Sequence, residues 1–168
     1  LGNNDDVDIA VKAANIAFDS FSKTTKEDRL KLLKRIHEVT SDRFEELAQA
    51  MSKEMGAPIT MSRDAQADSG LGHLQGFIEA LEKLEEENTL SNGDILTKEP
   101  IGVCGLITPW NWPINQITLK VLPAIACGCT CILKPSEHTP ISAMLYAEIL
   151  HEAGVPSGVF NLIHGTGE

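Results

Sequence analysis

From Val103 onward, short apolar runs alternate with helical patterns. Val103–Ile107, Thr130–Leu133 and Val159–Ile163 read as strands, with helical periodicity at Pro113–Ala126 and Pro140–Ala153 between them. Strands and helices that alternate with such short connections leave one simple solution, a β-α-β-α-β unit of parallel strands joined by right-handed crossovers. Both helices begin with Pro, which suits the first helical position because its N–H has no partner there anyway. Gly154 stops the second. The fold class is therefore α/β. In an open sheet of this kind, ligands bind beyond the carboxyl ends of the strands. All three ends carry reactive or ligand-binding residue types: Ile107-Thr108-Pro109-Trp110-Asn111-Trp112-Pro113, Leu133-Lys134-Pro135-Ser136-Glu137, and Ile163-His164-Gly165-Thr166-Gly167-Glu168.

The upstream part reads as helices. Asp5–Phe21 presents Ile9, Ala13, Ile16, Ala17 and Phe21 at helical spacing. Thr25 with Asp28 forms a capping-box signature ahead of Leu30, Leu33, Ile36 and Val39. Ser41 is the N-cap candidate for a third helix with Phe44, Leu47, Ala48, Met51 and Met55 inward, stopped by Gly56. A longer helix after Pro58 carries Leu71, Leu74, Ile78, Leu81 and Leu84. Its Gly70, Gly72 and Gly76 weaken the pattern, at about 1 kcal/mol each relative to Ala, or permit close helix contact. Glu85-Glu86-Glu87 reads as a solvated helix end. Ser91-Asn92-Gly93-Asp94 is a turn signal, with Gly93 suited to a positive φ, ahead of a short strand at Ile95–Thr97.

Charge is unevenly spread. Residues 1–100 hold twelve of the fourteen Lys and Arg, and only Lys120 and Lys134 follow. The acidic residues after residue 100 are Glu137, Glu148, Glu152 and Glu168. The first stretch reads as solvent-washed helices and the second as an interior whose few charges are functional candidates. A net charge of −10 argues against nucleic acid as the main partner. No apolar stretch is long enough for a membrane span, and the acidic start is unlike a signal peptide. The expected location is cytoplasmic.

Cys127, Cys129 and Cys131 form C-x-C-x-C, with Cys104 on an earlier strand. Thiolates suit soft metals, but no nearby His completes a ligand set and no CxxC knuckle is present. The expectation is small buried filler and no metal.

At the first junction, Asn111 stands beside a helix entrance, where free N–H groups and the positive dipole end lie. Its amide suits an oxyanion donor, and equally suits a plain N-cap. At the second, Lys134 and Glu137 place a donor and an acceptor on one turn. A carboxylate there accepts from both ribose hydroxyls and repels a 2′-phosphate, which favours NAD over NADP. The alternative is a surface ion pair. Lys120 lies among Leu119, Val121 and Leu122, so it snorkels or faces a cavity. Gly165-Thr166-Gly167 is a short glycine-rich turn of the kind that lets backbone approach a pyrophosphate.

Taken together, I-T-P-W-N-W-P, the Lys nine residues after its Asn, K-P-S-E and E-A-G-V-P-S-G-V-F-N-L-I-H-G-T-G-E resemble the NAD(P)-dependent aldehyde dehydrogenase superfamily. So do A-V-K-A-A-N-I-A-F, D-R-L-K-L-L-K-R-I and F-E-E-L-A-Q-A-M-S-K-E-M-G-A-P-I upstream. The resemblance implies a Rossmann-like NAD-binding unit at 91–168, incomplete relative to the family fold, with N-terminal helices at 1–90 packing on it. It implies oxidation of an aldehyde to a carboxylate, with Asn111 stabilising the oxyanion and Lys120 in the active-site charge network. Ile107, Thr108, Pro109, Trp110, Lys134, Pro135, Ser136, Glu137, Gly165 and Gly167 would contact the cofactor, and Glu137 tilts the choice toward NAD over NADP. A small-molecule aldehyde and a homodimer or homotetramer are implied as partners.

The family's nucleophilic Cys and general-base Glu lie downstream of the G-T-G segment, and no residue of this chain matches them. The four cysteines occupy places the family fills with small or apolar residues. The expectation is a fragment of about a third of a family enzyme, inactive by itself. A standalone nucleotide- or partner-binding module is the alternative.

Overall fold

A computed structural model describes residues 1–167. Helices α1 (Asn4–Phe21), α2 (Lys26–Asp42) and α3 (Phe44–Met55) come first. A single turn α4 (Ile59–Met61) runs through a π-helical segment at Ser62–Ala67 into α5 (Asp68–Lys83). The hairpin β1 (Glu87–Thr89) and β2 (Ile95–Thr97) follows. Then come β3 (Val103–Ile107), α6 (Pro113–Ala126), β4 (Thr130–Lys134), α7 (Pro140–Glu152) and β5 (Phe160–Leu162). The three later strands form one parallel sheet in the order β3-β4-β5. The β-α-β-α-β unit is thus present as expected, and the N-terminal helices precede it. No described helix is long and apolar enough to cross a membrane.

Several local signals act as their chemistry dictates. Thr25 and Asp28 form the reciprocal capping box of α2, and Asn3 with Asp6 does the same for α1. Gly56 closes α3 at φ +71°, and Gly93 turns the β1–β2 hairpin at φ +92°. Gly70 sits where an added Cβ would lie 2.6 Å from the Ile114 side chain. That glycine lets α5 and α6 touch, whereas Gly72 and Gly76 face open space.

Other expectations fail for long-range reasons. Ile9 and Ile16 are 67% and 64% exposed, while Ala10, Ala14 and Phe21 are buried. Phe21 is buried as expected, but at Ala10 and Ala14 helix α1 lies so close to the sheet that only small side chains fit between. Thr130 Oγ1 donates to Ala14 O at 3.0 Å, and Gly158 packs against the backbone at Ala13. Ser41 is not an N-cap, because α2 continues to Asp42 and Arg43 joins it to α3. Glu87 belongs to β1, and Glu86 pairs with the buried Arg29 instead of ending a helix in solvent. Nor are all late charges functional: Glu148 and Glu152 flank the Arg43 guanidinium and tie α7 to α3.

The core is continuous from helices to sheet. Leu33, Ile36, Leu47, Met51 and Leu74 share one buried cluster with Ile114, Leu122, Leu133 and Ile149. Cys129 and Cys131 are buried in it. Burial pushes the Cys131 thiol up to about 12, so it is a neutral filler at any physiological pH. All four cysteines are free, and no metal-binding group of His, Cys, Asp or Glu occurs among the described residues.

Candidate active site and cofactor cleft

Parallel register brings the three strand ends together. Ile107 pairs with Lys134 across β3 and β4, and Thr108 N donates to Lys134 O at 3.3 Å. Ile163 N donates to Leu133 O at 2.9 Å and fixes the third end beside the second. Side chains continue what the backbone begins. Lys134 Nζ donates to Pro135 O and to Gly165 O, each at 3.1 Å, and so clamps the second junction to the glycine turn. Ile107, Lys134, His164 and Gly165 line one cleft of about 460 Å³ together with Val7 and Val11 of α1.

The second junction is a tight turn. Ser136 is buried, its Oγ accepts from His138 N, and its carbonyl accepts from Thr139 N. Glu137 is left facing solvent. Its own backbone N–H holds its carboxylate below the usual range, helped by His138 and Lys134. The carboxylate is thus ionised at neutral pH and open to accept hydroxyl hydrogens. Lys134 and Glu137 form no ion pair, so the surface-pair alternative does not describe this turn. Trp110 meets the His138 ring edge-on, with centroids 6.4 Å apart, and this contact joins the first junction to the second.

The two crossover helices differ at their entrances. At α7, Glu54 reaches over from α3 and accepts from Ile141 N, Ser142 N and Ser142 Oγ. That positive helix end is already satisfied by a carboxylate. At α6 the N-cap is Trp112, and no side chain caps it. Asn111 is therefore not the N-cap, and its amide makes no side-chain hydrogen bond among the described residues. An exposed neutral donor beside an uncapped helix start can receive negative charge on an oxygen. Pro109 lies between buried Thr108 and Trp110 on the short connection leading there. Lys120 lies two turns into α6, about 10 Å from its start at 1.5 Å per residue, half-buried and outside any described ion pair. It does not line the cleft of Lys134 and Gly165.

His164 is a cleft residue that the sequence reading named within the third junction but gave no role. It lines the same cleft, its Nε2 is buried without a partner, and burial holds its imidazole below the usual range. The only hint in the sequence is its position directly before Gly165.

Comparison with known proteins settles the lineage. The model of the aldehyde dehydrogenase family matches residues 1–168. The chain belongs to the aldehyde dehydrogenase family. A 3-succinoylsemialdehyde-pyridine dehydrogenase from Pseudomonas sp. is 49% identical over 99% of this chain and 35% of its own length. A putative aldehyde dehydrogenase of Staphylococcus haemolyticus is 45% identical with the same coverage. Among solved structures, the aldehyde dehydrogenase of Bartonella henselae superposes with a TM-score of 0.97 at 49% identity, covering 99% of this chain and 36% of that one. An aldehyde dehydrogenase of Pseudomonas syringae in complex with NAD+ and octanal gives 0.96 at 50% identity, covering 99% and 34%. The chain thus spans about a third of the length of these aldehyde dehydrogenases, and its helices and parallel sheet match the N-terminal part of their fold.

Proposed function

We propose that residues 1–168 form the cofactor-binding and oxyanion-bearing part of an enzyme that oxidises a small-molecule aldehyde to a carboxylate with NAD. The observation that carries this reading is the convergence of three strand ends on one cleft, the first of those ends leading through the free amide of Asn111 into the uncapped entrance of α6. Asn111 donates to the oxygen that gains charge when the aldehyde carbon is attacked. Glu137 accepts from the adenosine ribose hydroxyls, and Lys134 both holds the glycine turn and faces the ribose. Ile107 lines the cleft; Thr108, Pro109 and Trp110 after β3 and Pro135 and Ser136 after β4 contact the cofactor beyond it, and Gly165 and Gly167 open the pyrophosphate side. Lys120 joins the charge network behind the helix entrance. NAD, when bound, supplies the hydride acceptor.

The ionised, solvent-facing carboxylate at Glu137 disfavours a 2′-phosphate, hence NAD over NADP. The attacking Cys and the water-activating Glu are assigned to sequence outside residues 1–168, so these residues alone are inactive. We divide them into helices at 1–90 and the first part of the NAD-binding domain at 91–168. A homodimer or homotetramer in the cytoplasm completes the proposal; the four free cysteines suit a reducing compartment.

The test is aldehyde oxidation by the complete polypeptide. Loss of one oxyanion donor costs about a hundredfold to a thousandfold in kcat. Asn111→Ala should show that loss with unchanged NAD binding by calorimetric titration. Activity retained within threefold would overturn the assignment of Asn111, and absence of any NAD-linked aldehyde oxidation would overturn the proposed function.

A further inference from the structure

The connection that carries Asn111 has little backbone bonding to hold it. Before it, Thr108 N donates to Lys134 O; after it, Gln116 N donates to Trp112 O. Between those two bonds, Pro109, Trp110 and Asn111 are exposed and make no hydrogen bond among the described residues. The proline ring fixes φ at Pro109 alone. An oxyanion donor works only where it is preorganised, and a misplacement of about 1 Å costs up to about a hundredfold in rate. Whatever restrains this connection therefore bears on the rate.

The imidazole of His138 reaches it from the second junction. Its plane stands at 85° to the Trp110 indole, with ring centroids 6.4 Å apart. This is the edge-to-face arrangement that aromatic pairs prefer. His138 itself stands on a well-bonded turn. Its N–H donates to the buried Ser136 Oγ at 3.3 Å, and Thr139 N donates to Ser136 O at 3.2 Å. Helix α7 follows at once, with its entrance held by Glu54. A fixed turn thus presents a ring to a stretch that lacks bonds of its own. Trp110 directly precedes Asn111, and His138 directly follows Glu137, so the contact links the oxyanion donor to the ribose junction.

We propose that His138 is a positioning residue, holding the Asn111 amide through Trp110 at the place where the oxyanion develops. The inference rests on the proposed role of Asn111 and adds to it a residue that touches neither substrate nor the reacting atoms.

The experiment is a double-mutant cycle on aldehyde oxidation by the complete polypeptide: wild type, His138→Ala, Asn111→Ala and the double variant. His138→Ala should lower kcat by about threefold to tenfold, the worth of one aromatic edge contact, with KM changing less. His138→Phe keeps a ring at that point and should bring kcat back to within about twofold of wild type. In the Asn111→Ala background, His138→Ala should change kcat by less than about twofold, because a residue acting through the amide has nothing left to position. Should His138→Ala not fold, His138→Gln, which keeps a side chain but no ring, must lose kcat likewise. An unchanged kcat in the folded ringless variants, a loss confined to KM, or an equal loss with and without Asn111 overturns this inference alone, since the Asn111→Ala single variant tests the oxyanion assignment separately. A wild-type polypeptide that oxidises no aldehyde overturns the proposed function and this inference with it.

Discussion

Gly154 and Gly158 offer a paired measurement of how tightly α1 is seated on the sheet. Their φ angles are nearly equal, +86° and +84°. Their surroundings are opposite. An added Cβ at Gly154 meets nothing within 4 Å, whereas at Gly158 it would lie 2.7 Å from Ala13 O and 2.9 Å from Ala17 Cβ. An L-residue in the left-handed region costs about 1–2 kcal/mol, and both Ala variants incur it. Only Gly158→Ala also collides with a helix backbone, which cannot turn aside as a flexible side chain would. Overpacking of that kind costs about 1–3 kcal/mol more. Moving α1 outward would also stretch the bond from Thr130 Oγ1 to Ala14 O, now 3.0 Å. Gly158→Ala should therefore be less stable than Gly154→Ala by about 1–3 kcal/mol, or roughly 2–4 °C in Tm per kcal/mol for a chain of this size. Urea titration of both variants, followed by circular dichroism, measures the gap. Equal midpoints would refute the argument that α1 is locked by close backbone packing.

Three further outcomes are expected. Glu137→Gln should narrow the preference for NAD over NADP at least fivefold in calorimetric titrations of the complete polypeptide, through loss of the charge that repels a 2′-phosphate; an unchanged preference would remove Glu137 from the ribose site. Arg29 is 4% exposed and donates to Thr24 O, Ala126 O and Glu86. Arg29→Met should destabilise by about 2–4 kcal/mol in chemical unfolding, mostly from the orphaned carbonyls, because Glu86 itself is half-exposed. Glu45 is held down to about 2 by hydrogen bonds from Arg63 and Gln49, below its ordinary 4.5. A depressed carboxylate stabilises above its unfolded value and loses that effect as pH falls toward its folded one. The stability gap between wild type and Glu45→Gln should therefore be constant above pH 5 and close between about pH 4.5 and 2; a gap that widens on acidification would contradict the assignment.

The segments predicted best were those governed by chemistry within a few residues. Pro113 and Pro140 open helices, Gly56 closes one at a positive φ, and Thr25 with Asp28 caps another. The sheet followed from the alternation alone. The face of α1 did not, because the bulkiest apolar side chains gave the clearest period while the sheet selected the smallest. The π-helical segment at Ser62–Ala67 had no local signature, since its residues are ordinary helix formers held in place by neighbouring elements. His164 was given no role because its significance lies in a buried ring nitrogen and a shared cleft, neither of which has a spacing to read.

By itself, then, the sequence determined the family, the order of the elements and the three strand ends where ligand chemistry belongs. Local propensity and motif identity need only short-range information. Tertiary structure alone decided which residues at those ends are free. Glu54 comes from 87 residues away to occupy the entrance of α7, while the entrance of α6 stays uncapped and leaves Asn111 unengaged. Lys134 turns out to clamp Gly165 instead of pairing with Glu137, so the Glu137 carboxylate remains open to solvent. Donors and acceptors are satisfied by whatever lies nearest in space, and the folded chain sets that neighbourhood.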